Sequence, residues 1–447
     1  MCMMNFLERN LKELATLFVV FLCMCSMPAF SDNSYLNTGL PVCYIDYDAS
    51  VEITKENKID AKFVLCAPDE TVRGEVKLWG RGNYTWILAK KPYNLKFDKK
   101  ISLLGMPSGK KYALMANACD PSMCRIAVGF EAGRWVDFEW PLQGRYVELV
   151  LNGSHQGTYF LAERVSQSTV KVDKTNGYIL EYKYANQITD ESVNFTTNLY
   201  DMIFEFKDPD QPQKNGEMYN DAVRRVNDFE EAIFADDNMT ARRWEKMVDM
   251  DNFVRWYYWK NLLQMDECNR YYVEENYLED KPLKMGPLWD FDWTIGMDFQ
   301  GNHYDSQNMR NKLFFAPLAK DKVFQSRVAR FHFDHRQQIE TEVKQLYDSL
   351  STLLRTSVQQ NELIWGQYRT SPLDWEKEVA TDKAYLLATL RFLDNELGAY
   401  LEDSGIRDLN EQSLLPRCSK YIDGTRLYLR RGSDVYDARG LKMKLKN

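Results

Sequence analysis

The sequence has little of what marks nucleic-acid-binding, zinc-binding or membrane-spanning proteins. It contains no block of Lys and Arg, and its net charge is -8, so we do not expect a nucleic acid as its partner. It has four histidines in 447 residues and no Cys-x-x-Cys pair, so its spacing does not suggest zinc. The mean hydropathy is negative, and no apolar run after the first thirty residues is long enough to cross a membrane.

What is present indicates a well-packed globular protein. Hydrophobic residues make up 45% of the chain and aromatic residues 13%. A chain of this length and composition can bury a core of two lobes or domains, and disorder over most of it is not expected.

The first residues have the pattern of a signal peptide. Arg9 and Lys12 precede an uncharged apolar stretch that is short for a membrane span. The small residues Ala29 and Ser31 follow it and fit a signal-peptidase site. We therefore expect residues 1–31 to be removed and the protein to be exported to the periplasm, the cell surface or the extracellular space. An uncleaved anchor is the alternative.

Six cysteines would remain after this cleavage. Because an exported chain can form disulfides, their even number permits up to three bridges, and the sequence does not choose among the 15 pairings. Cys119 and Cys124 flank a turn and are plausible neighbours. Buried reduced thiols are the alternative in a protein with a large core. The six are Cys43, Cys66, Cys119, Cys124, Cys268 and Cys418.

A strand, a glycine-containing loop and a second strand follow one another in the N-terminal half. The first strand runs into Gly80 and Arg81, where backbone N–H groups could meet a phosphate. Lys91 precedes the next strand, in which Lys96 alternates with apolar neighbours. A lysine on the strand after a glycine loop is typical of an ATP site. The alternative is an edge strand that carries lysines against aggregation.

The next segment predicts one helix and a hairpin. Asp120 and Pro121 are typical of an N-cap and a first helical residue, and residues 123–135 suit the helix that would follow. Asn152-Gly153 is a strong signal for a two-residue hairpin turn. The second strand of that hairpin ends at Glu163.

This order of elements predicts an α+β protein with a two-lobed, protein-kinase-like fold. The β-rich N-lobe would cover about 40–180, and a mainly helical C-lobe would begin at about 181 and complete the core by 315. Residues 316–403 would be a helical extension of the C-lobe, because apolar residues recur there at threes and fours. Residues 404–447 alternate in polarity, with glycines at turn intervals, and predict a small β-hairpin unit.

Three aspartates carry the chemistry that the sequence suggests. Asp266 follows an apolar stretch typical of a buried helix, and Asp290 and Asp292 come about two dozen residues later in the sequence Trp-Asp-Phe-Asp. Clustered carboxylates repel one another unless a divalent cation lies among them, and Mg²⁺ favours one or two carboxylates plus phosphate oxygens. The pattern indicates phosphoryl transfer. The alternative is a strand at the edge of the core followed by a solvated turn.

Several ordered motifs lie between residues 40 and 300. They are Gly80–Trp86, Lys90–Phe97, Leu103–Pro107, Leu151–Gly157, Tyr159–Glu163, Gly177–Glu181 and Gly286–Asp292. Together they resemble the CotH family, the spore-coat-protein-H-like kinases. The resemblance implies an atypical protein-kinase-like fold that transfers the γ-phosphoryl group of ATP to hydroxyl groups of a protein substrate at the surface or envelope, with Mg²⁺ or Mn²⁺.

The same resemblance implies the roles of individual residues. Asp266 matches the catalytic aspartate, and Asp290 matches the metal-binding one, with Asp292 and Asn269 as further expected metal contacts. Asn276 is an alternative to Asn269. The residues expected at the nucleotide are Gly80, Arg81, Lys91, Lys96 and Glu163, with Lys91 and Lys96 as the two candidates for the phosphate-facing lysine.

The chain departs from the family pattern around Asp266, where Gln264-Met265 replaces the usual preceding Asn. Three functions therefore compete: an exported ATP-dependent kinase, a related transfer such as nucleotidylation, and a catalytically silent surface protein that acts in binding or adhesion.

Overall fold

The computed structural model describes residues 37–234, 241–265, 271–298, 301–402, 418–423, 426–431, 434–437 and 442–443. Their fold is mixed α+β, as predicted, with a sheet-rich N-terminal region and a helical C-terminal region. Among the helices of the described residues, none has both the length and the apolar composition needed to cross a membrane.

Seven strands of the N-terminal region form a closed barrel in the order β1-β2-β3-β4-β5-β7-β6. Neighbouring strands are antiparallel except β1 and β6, whose parallel pairing closes the barrel. The strands are β1 (Val42–Tyr47), β2 (Ile59–Cys66), β3 (Thr71–Gly80), β4 (Tyr93–Ile101), β5 (Gly109–Met115), β6 (Gly144–Leu151) and β7 (Ser154–Glu163).

The alternation along these strands divides their side chains between two cores. Leu95 of β4 and Leu114 of β5 point into the barrel and join its internal apolar cluster. Ala113 and Met115 of β5 point outward and join the larger core, which the barrel shares with the rest of the protein. The outer face of β4 and β5 is therefore partly an interface within the molecule.

Two short helices accompany the barrel, α1 (Tyr84–Ile87) between β3 and β4, and α2 (Arg125–Trp135) between β5 and β6. The prediction that α2 begins directly after Asp120 and Pro121 is wrong, because the helix starts at Arg125. Cys124 is the N-cap residue, but the Asp120 carboxylate still accepts hydrogen bonds from the backbone N–H groups of Ser122 and of Arg125, the first helical residue, at 3.0 and 2.8 Å.

A second sheet has five strands in the order β12-β11-β8-β10-β9. Its central strand β8 pairs with β10 and with the much later β11. The lobe boundary predicted near residue 180 falls inside β8, because sequence patterns do not reveal pairing between strands so far apart. The strands are β8 (Tyr178–Lys183), β9 (Asn194–Thr196), β10 (Ile203–Asp208), β11 (Tyr271–Glu274) and β12 (Lys284–Met285).

The remaining helices pack around this sheet and against the barrel. The two longest pack against each other, and the longer of them also contacts β7 of the barrel. The helices are α3 (Glu217–Phe234), α4 (Met250–Leu262), α5 (Phe315–Leu318), α6 (Lys322–Trp365) and α7 (Trp375–Glu402).

The C-terminal hairpin unit expected from the sequence corresponds to four antiparallel strands in chain order. They are β13 (Cys418–Asp423), β14 (Arg426–Arg431), β15 (Asp434–Asp437) and β16 (Lys442–Met443).

Candidate nucleotide and metal site

A cavity of about 410 Å³ lies against the outer face of the barrel, between β4 and β5 on one side and the Asp290–Asp292 segment on the other. The second sheet contributes Glu181, Lys183 and Lys207 to its wall. The cavity therefore brings together residues from three parts of the chain that are far apart in sequence.

The Asp290-Phe291-Asp292 segment is fixed by the aromatic ring at its centre. Phe291 is buried, and its ring packs edge-on against Phe130 of α2 and Trp259 of α4, with ring centroids 5.3 and 5.4 Å apart. The ring also lies so close to Gly129 that a Cβ atom there would be 2.2 Å from it. Because Phe291 is anchored in the core, the carboxylates on either side of it are held at the cavity.

The residues that follow this segment hold it at two more points. The Trp293 ring meets the Tyr84 ring of α1 edge-on, with centroids 5.8 Å apart. The carbonyl oxygen of Thr294 accepts a hydrogen bond at 3.1 Å from Nε of the buried Arg125. The aspartate segment is thus tied both to the glycine loop region and to α2.

Two arginines of the barrel line the cavity, and each lies over a tryptophan ring. The Arg81 guanidinium is 5.3 Å from the centroid of the Trp289 ring, and the Arg164 guanidinium is 5.6 Å from that of Trp79. Stacking on an indole face restricts a guanidinium to few orientations while its charge is retained. Both groups are therefore suited to binding an anion such as a phosphate.

The lysines of the second sheet share one buried carboxylate. Glu181 of β8 is paired with Lys183 at 3.0 Å and with Lys207 of β10 at 2.8 Å. Glu205 of β10 also pairs with Lys183, at 3.2 Å, so two carboxylates balance the two ammonium groups at this part of the wall. The lysine side chains remain partly exposed, at 15% and 33%, so a ligand in the cavity could reach them.

The carboxylates also affect a neighbouring thiol. Burial, followed by the charges of Asp292, Asp120 and Asp290, raises the pKa of Cys119 to about 12. The thiol is therefore protonated near neutral pH and is not a nucleophile. Cys119 and Cys124, suggested as neighbours that could pair, are both free thiols.

Of the residues predicted to contact nucleotide or metal, Arg81, Asp290 and Asp292 line the cavity together. Gly80 does not line it. Its close neighbour is the Trp86 ring, 2.4 Å from where a Cβ atom would lie, and its N–H donates to the carbonyl oxygen of Thr54 at 2.8 Å. The N–H of Arg81 donates to the carbonyl oxygen of Pro92 at 3.2 Å, so both backbone donors are already used within the protein.

The two candidate lysines do not line the cavity either. Nζ of Lys91 donates to the carbonyl oxygen of Trp86 at 2.6 Å and lies over the ring of the same residue. Lys96 is exposed on the outer face of β4, two residues beyond Asn94, which does line the cavity. Its register neighbours are Lys77 of β3 and Lys111 of β5, so it belongs to a row of surface lysines.

Glu163 is also outside the cavity lining. Its carboxylate accepts a hydrogen bond from the backbone N–H of Gln143 at 2.9 Å, and burial raises its pKa. The next residue, Arg164, is the one that lines the cavity. Because successive side chains of an extended chain point in opposite directions, the two neighbours have different surroundings.

Asp266 and Asn269 lie outside the described residues, so their predicted catalytic and metal-binding roles stay predictions. Met265, directly before Asp266, lines the cavity. The alternative metal contact Asn276 is used locally, since its side chain accepts a hydrogen bond from the N–H of Leu278 at 3.1 Å.

Sequence reasoning missed Arg164, Lys183, Lys207, Asn94 and Asn117. The alternation of β4 could have suggested Asn94, because it shares a face with the predicted Lys96. The Gly177–Glu181 motif pointed to the strand of Lys183 without assigning a role to it. For Lys207 and Asn117 the sequence offered no signal.

The cavity offers few protein ligands for a divalent cation. Within the described ranges, no three side chains from among His, Cys, Asp and Glu come together as metal ligands. Two aspartates nevertheless suit Mg²⁺, which is commonly held by one or two carboxylates, water and substrate phosphate oxygens rather than by a cage of protein ligands. Asp290 and Asp292 therefore fit such an ion when it arrives with a phosphorylated ligand.

Comparison with known protein families identifies the family of this chain. A family model described as CotH kinase protein matches residues 79–393, which include the barrel strands β4 to β7, the second sheet and both aspartates of the cavity. No curated protein matches the sequence. Because the match covers well over half of the chain, the protein belongs to the CotH kinase protein family.

Proposed function

We propose that this protein is an exported, kinase-like phosphotransferase that moves the γ-phosphoryl group of ATP to Ser or Thr hydroxyls of a surface or envelope protein. The observation that carries the proposal is the meeting of Asp290 and Asp292 with Arg81, Arg164, Lys183 and Lys207 around one cavity. Family membership supports the reaction class, and the signal-like sequence at residues 1–31 supports export.

The cations of the cavity would bind the phosphate chain of ATP. A triphosphate carries several negative charges, and Arg81 and Arg164 can offer two parallel N–H donors to its oxygens. Lys183 and Lys207 would add point charges from the opposite wall. Phosphoryl transfer passes through a loose transition state, so positioning and charge stabilisation account for most of the catalysis.

Asp290 and Asp292 would hold a divalent cation, Mg²⁺ or Mn²⁺, which supplies charge neutralisation at the β- and γ-phosphate oxygens when bound. The chain's own contribution is the fixed placement of the carboxylates, which Phe291 secures by its packing against α2 and α4. We assign no contact with the nucleotide to Lys91, Lys96 or Glu163, because none of them lines the cavity.

A two-lobed kinase-like arrangement is part of the same proposal. The barrel would serve as the N-lobe, and the second sheet with the long helices would serve as the C-lobe. The cavity lies between residues of the barrel and residues of the second sheet, which is where a kinase holds its nucleotide.

Incubation with γ-labelled ATP and Mn²⁺ tests the reaction through autophosphorylation. We expect label in the wild-type protein and at least a hundredfold less in Asp290→Asn, because the cation loses a carboxylate ligand. Asp69→Asn is the matched control, since Asp69 is an exposed aspartate in the turn between β2 and β3. Label transfer by Asp290→Asn at the wild-type rate would refute the proposed site. In a parallel incubation with α-labelled ATP, label on the protein would indicate nucleotidylation instead.

Asp266→Asn separates chemistry from binding. If Asp266 orients the acceptor hydroxyl and takes its proton, its loss should lower the transfer rate by roughly two orders of magnitude or more and change ATP affinity only a few-fold. Calorimetry measures the affinity, and the labelling assay measures the rate. A folded, ATP-binding variant with undiminished transfer would overturn the catalytic role.

A further inference from the structure

Two buried asparagines line the cavity with side-chain atoms that have no hydrogen-bond partner. Asn94 of β4 and Asn117, just after β5, are each 6% exposed. Within the described residues, Oδ1 of Asn94 and both Oδ1 and Nδ2 of Asn117 lack a partner. A buried polar atom left without a partner is energetically unfavourable. Such atoms in a cavity therefore indicate that a ligand completes their hydrogen bonds.

The immediate surroundings of these amides differ from the charged part of the cavity. Met115 and Ala116 directly precede Asn117 and line the cavity with it, and Pro92 and Ile126 add further apolar surface. Neutral amides among apolar side chains complement an uncharged ring with a polar edge better than they complement a phosphate. Under the proposed function, the phosphates would have four cationic partners elsewhere in the cavity.

We propose that Asn117 and Asn94 bind the adenine base of ATP and make the site prefer adenine over 6-oxopurines, an inference that rests on the proposed function. An amide side chain offers one acceptor and one donor at the spacing of adenine N6–H and N7. Hypoxanthine and guanine present two acceptors at the corresponding positions, O6 and N7, so Oδ1 of Asn117 would face an acceptor. Oδ1 of Asn94 accepts from another donor of the nucleoside, because Nδ2 of Asn94 already lies 3.5 Å from the carbonyl oxygen of Gly80.

The backbone at Asn117 determines which variants are informative. Its φ of 51° lies in the left-handed region, which Asn, Asp and Gly tolerate and most other residues do not. Asn117→Gly therefore deletes the amide without backbone strain. Asn117→Asp keeps the shape and replaces the donor by an acceptor.

The test measures binding of three ligands by calorimetry in the presence of Mn²⁺: a nonhydrolysable ATP analogue, the corresponding ITP analogue and inorganic tripolyphosphate. We expect the wild-type protein to bind the adenine ligand at least tenfold more tightly than the inosine ligand, the scale of one bidentate pair. Asn117→Gly and Asn117→Asp should each weaken the adenine ligand by a similar factor. In Asn117→Gly, the affinity for tripolyphosphate should stay within about twofold.

Asn215→Gly is the matched control, because Asn215 is an exposed asparagine that also has a positive φ, 62°, and we expect it to leave all three affinities unchanged. Equal wild-type affinity for the two nucleotides would overturn the inference and leave the proposed function standing. A parallel loss of tripolyphosphate binding in Asn117→Gly would also overturn it, since it would place Asn117 at the phosphates. Failure of the wild-type protein to bind any of the three ligands would overturn the inference and the proposed function together.

Discussion

The protein contains two kinds of charged cluster, one sealed in the core and one at the cavity. Arg125 is fully buried, and its guanidinium is paired with Asp120 at 2.6 Å and with Asp382 at 2.5 Å. Lys183 and Lys207 share Glu181 and keep part of their surface exposed. The charged side chains of the core cluster are fully buried, so no ligand reaches them, whereas the lysines form part of a cavity wall that a ligand can reach. Similar residue types thus occur in a sealed cluster and in an accessible one.

Lys90 belongs to neither cluster. It is a buried lysine that links the barrel to α6. Its Nζ donates to the carbonyl oxygen of Thr158 at 2.5 Å and to Oδ1 of Asn361 of α6 at 2.7 Å, and it lies over the Tyr159 ring. Burial is the main cause that lowers its pKa to about 7, while the nearby carboxylates of Glu148 and Glu362 oppose the shift and Arg369 adds to it.

The largest effect on stability is expected for Arg125→Met. The change leaves Asp120 and Asp382 buried without their cation, and breaking a buried ion pair in this way costs about 3–5 kcal/mol of unfolding free energy. Denaturant unfolding measures it. Lys383→Met is the matched control, because Lys383 follows Asp382 on α7 and forms a surface pair with Asp348 that should contribute less than about 1 kcal/mol. Equal losses in the two variants would remove the distinction between core and surface charges.

The second prediction concerns pH and Lys90. The folded-state pKa of about 7 lies below the ordinary lysine pKa of 10.5, so above pH 7 the unfolded chain binds the extra proton and stability rises with pH. Lys90→Met lacks this contribution. Between pH 6.5 and pH 9, the unfolding free energy of the wild-type protein should therefore rise by about 2 kcal/mol more than that of Lys90→Met. Parallel pH profiles for the two proteins would show that burial does not hold Lys90 near neutrality.

The smallest effect is expected for Lys183, at the wall of the cavity. Lys183→Met should weaken binding of ATP with Mn²⁺ by roughly tenfold, about 1.4 kcal/mol. The melting temperature should change little, because Lys207 still pairs with Glu181 and Glu205, the other partner of Lys183, is partly exposed to water. Lys99→Met is the control, since Lys99 is an exposed lysine of β4 outside the cavity. A large drop in melting temperature without a loss of affinity would assign Lys183 to structure instead.

Local signals in the sequence predicted strands that form the barrel, but not the closed barrel itself. The Asn152-Gly153 turn joins β6 and β7 as expected, and both residues have a positive φ, 44° and 79°, as the predicted turn requires. The α+β class was also predicted correctly, because strand alternation and helical periodicity are local properties of the chain. The Trp-Asp-Phe-Asp sequence indicated a charged site, and Asp290 and Asp292 do line one cavity.

Tertiary structure decides which of two nearby residues lines the cavity. Alternation alone places Asn94 and Lys96 on the same face of β4, but the rest of the protein covers only the end with Asn94, so one side chain lines the cavity and the other is exposed. Arg164 rather than Glu163 lines the cavity for a related reason, since adjacent residues point in opposite directions. Which direction meets the cavity depends on how the second sheet lies against the barrel.

By itself, then, the sequence determined the class of fold, the hairpin and the two aspartates, because each depends on residues close together in the chain. Lys183 and Lys207 belong to strands whose pairing with each other and with the later β11 no local pattern encodes. Only the packing of the second sheet against the barrel puts their charges opposite Arg81 and Arg164. The cationic part of the cavity is therefore a property of the tertiary structure, since its members come from four separate stretches of the chain.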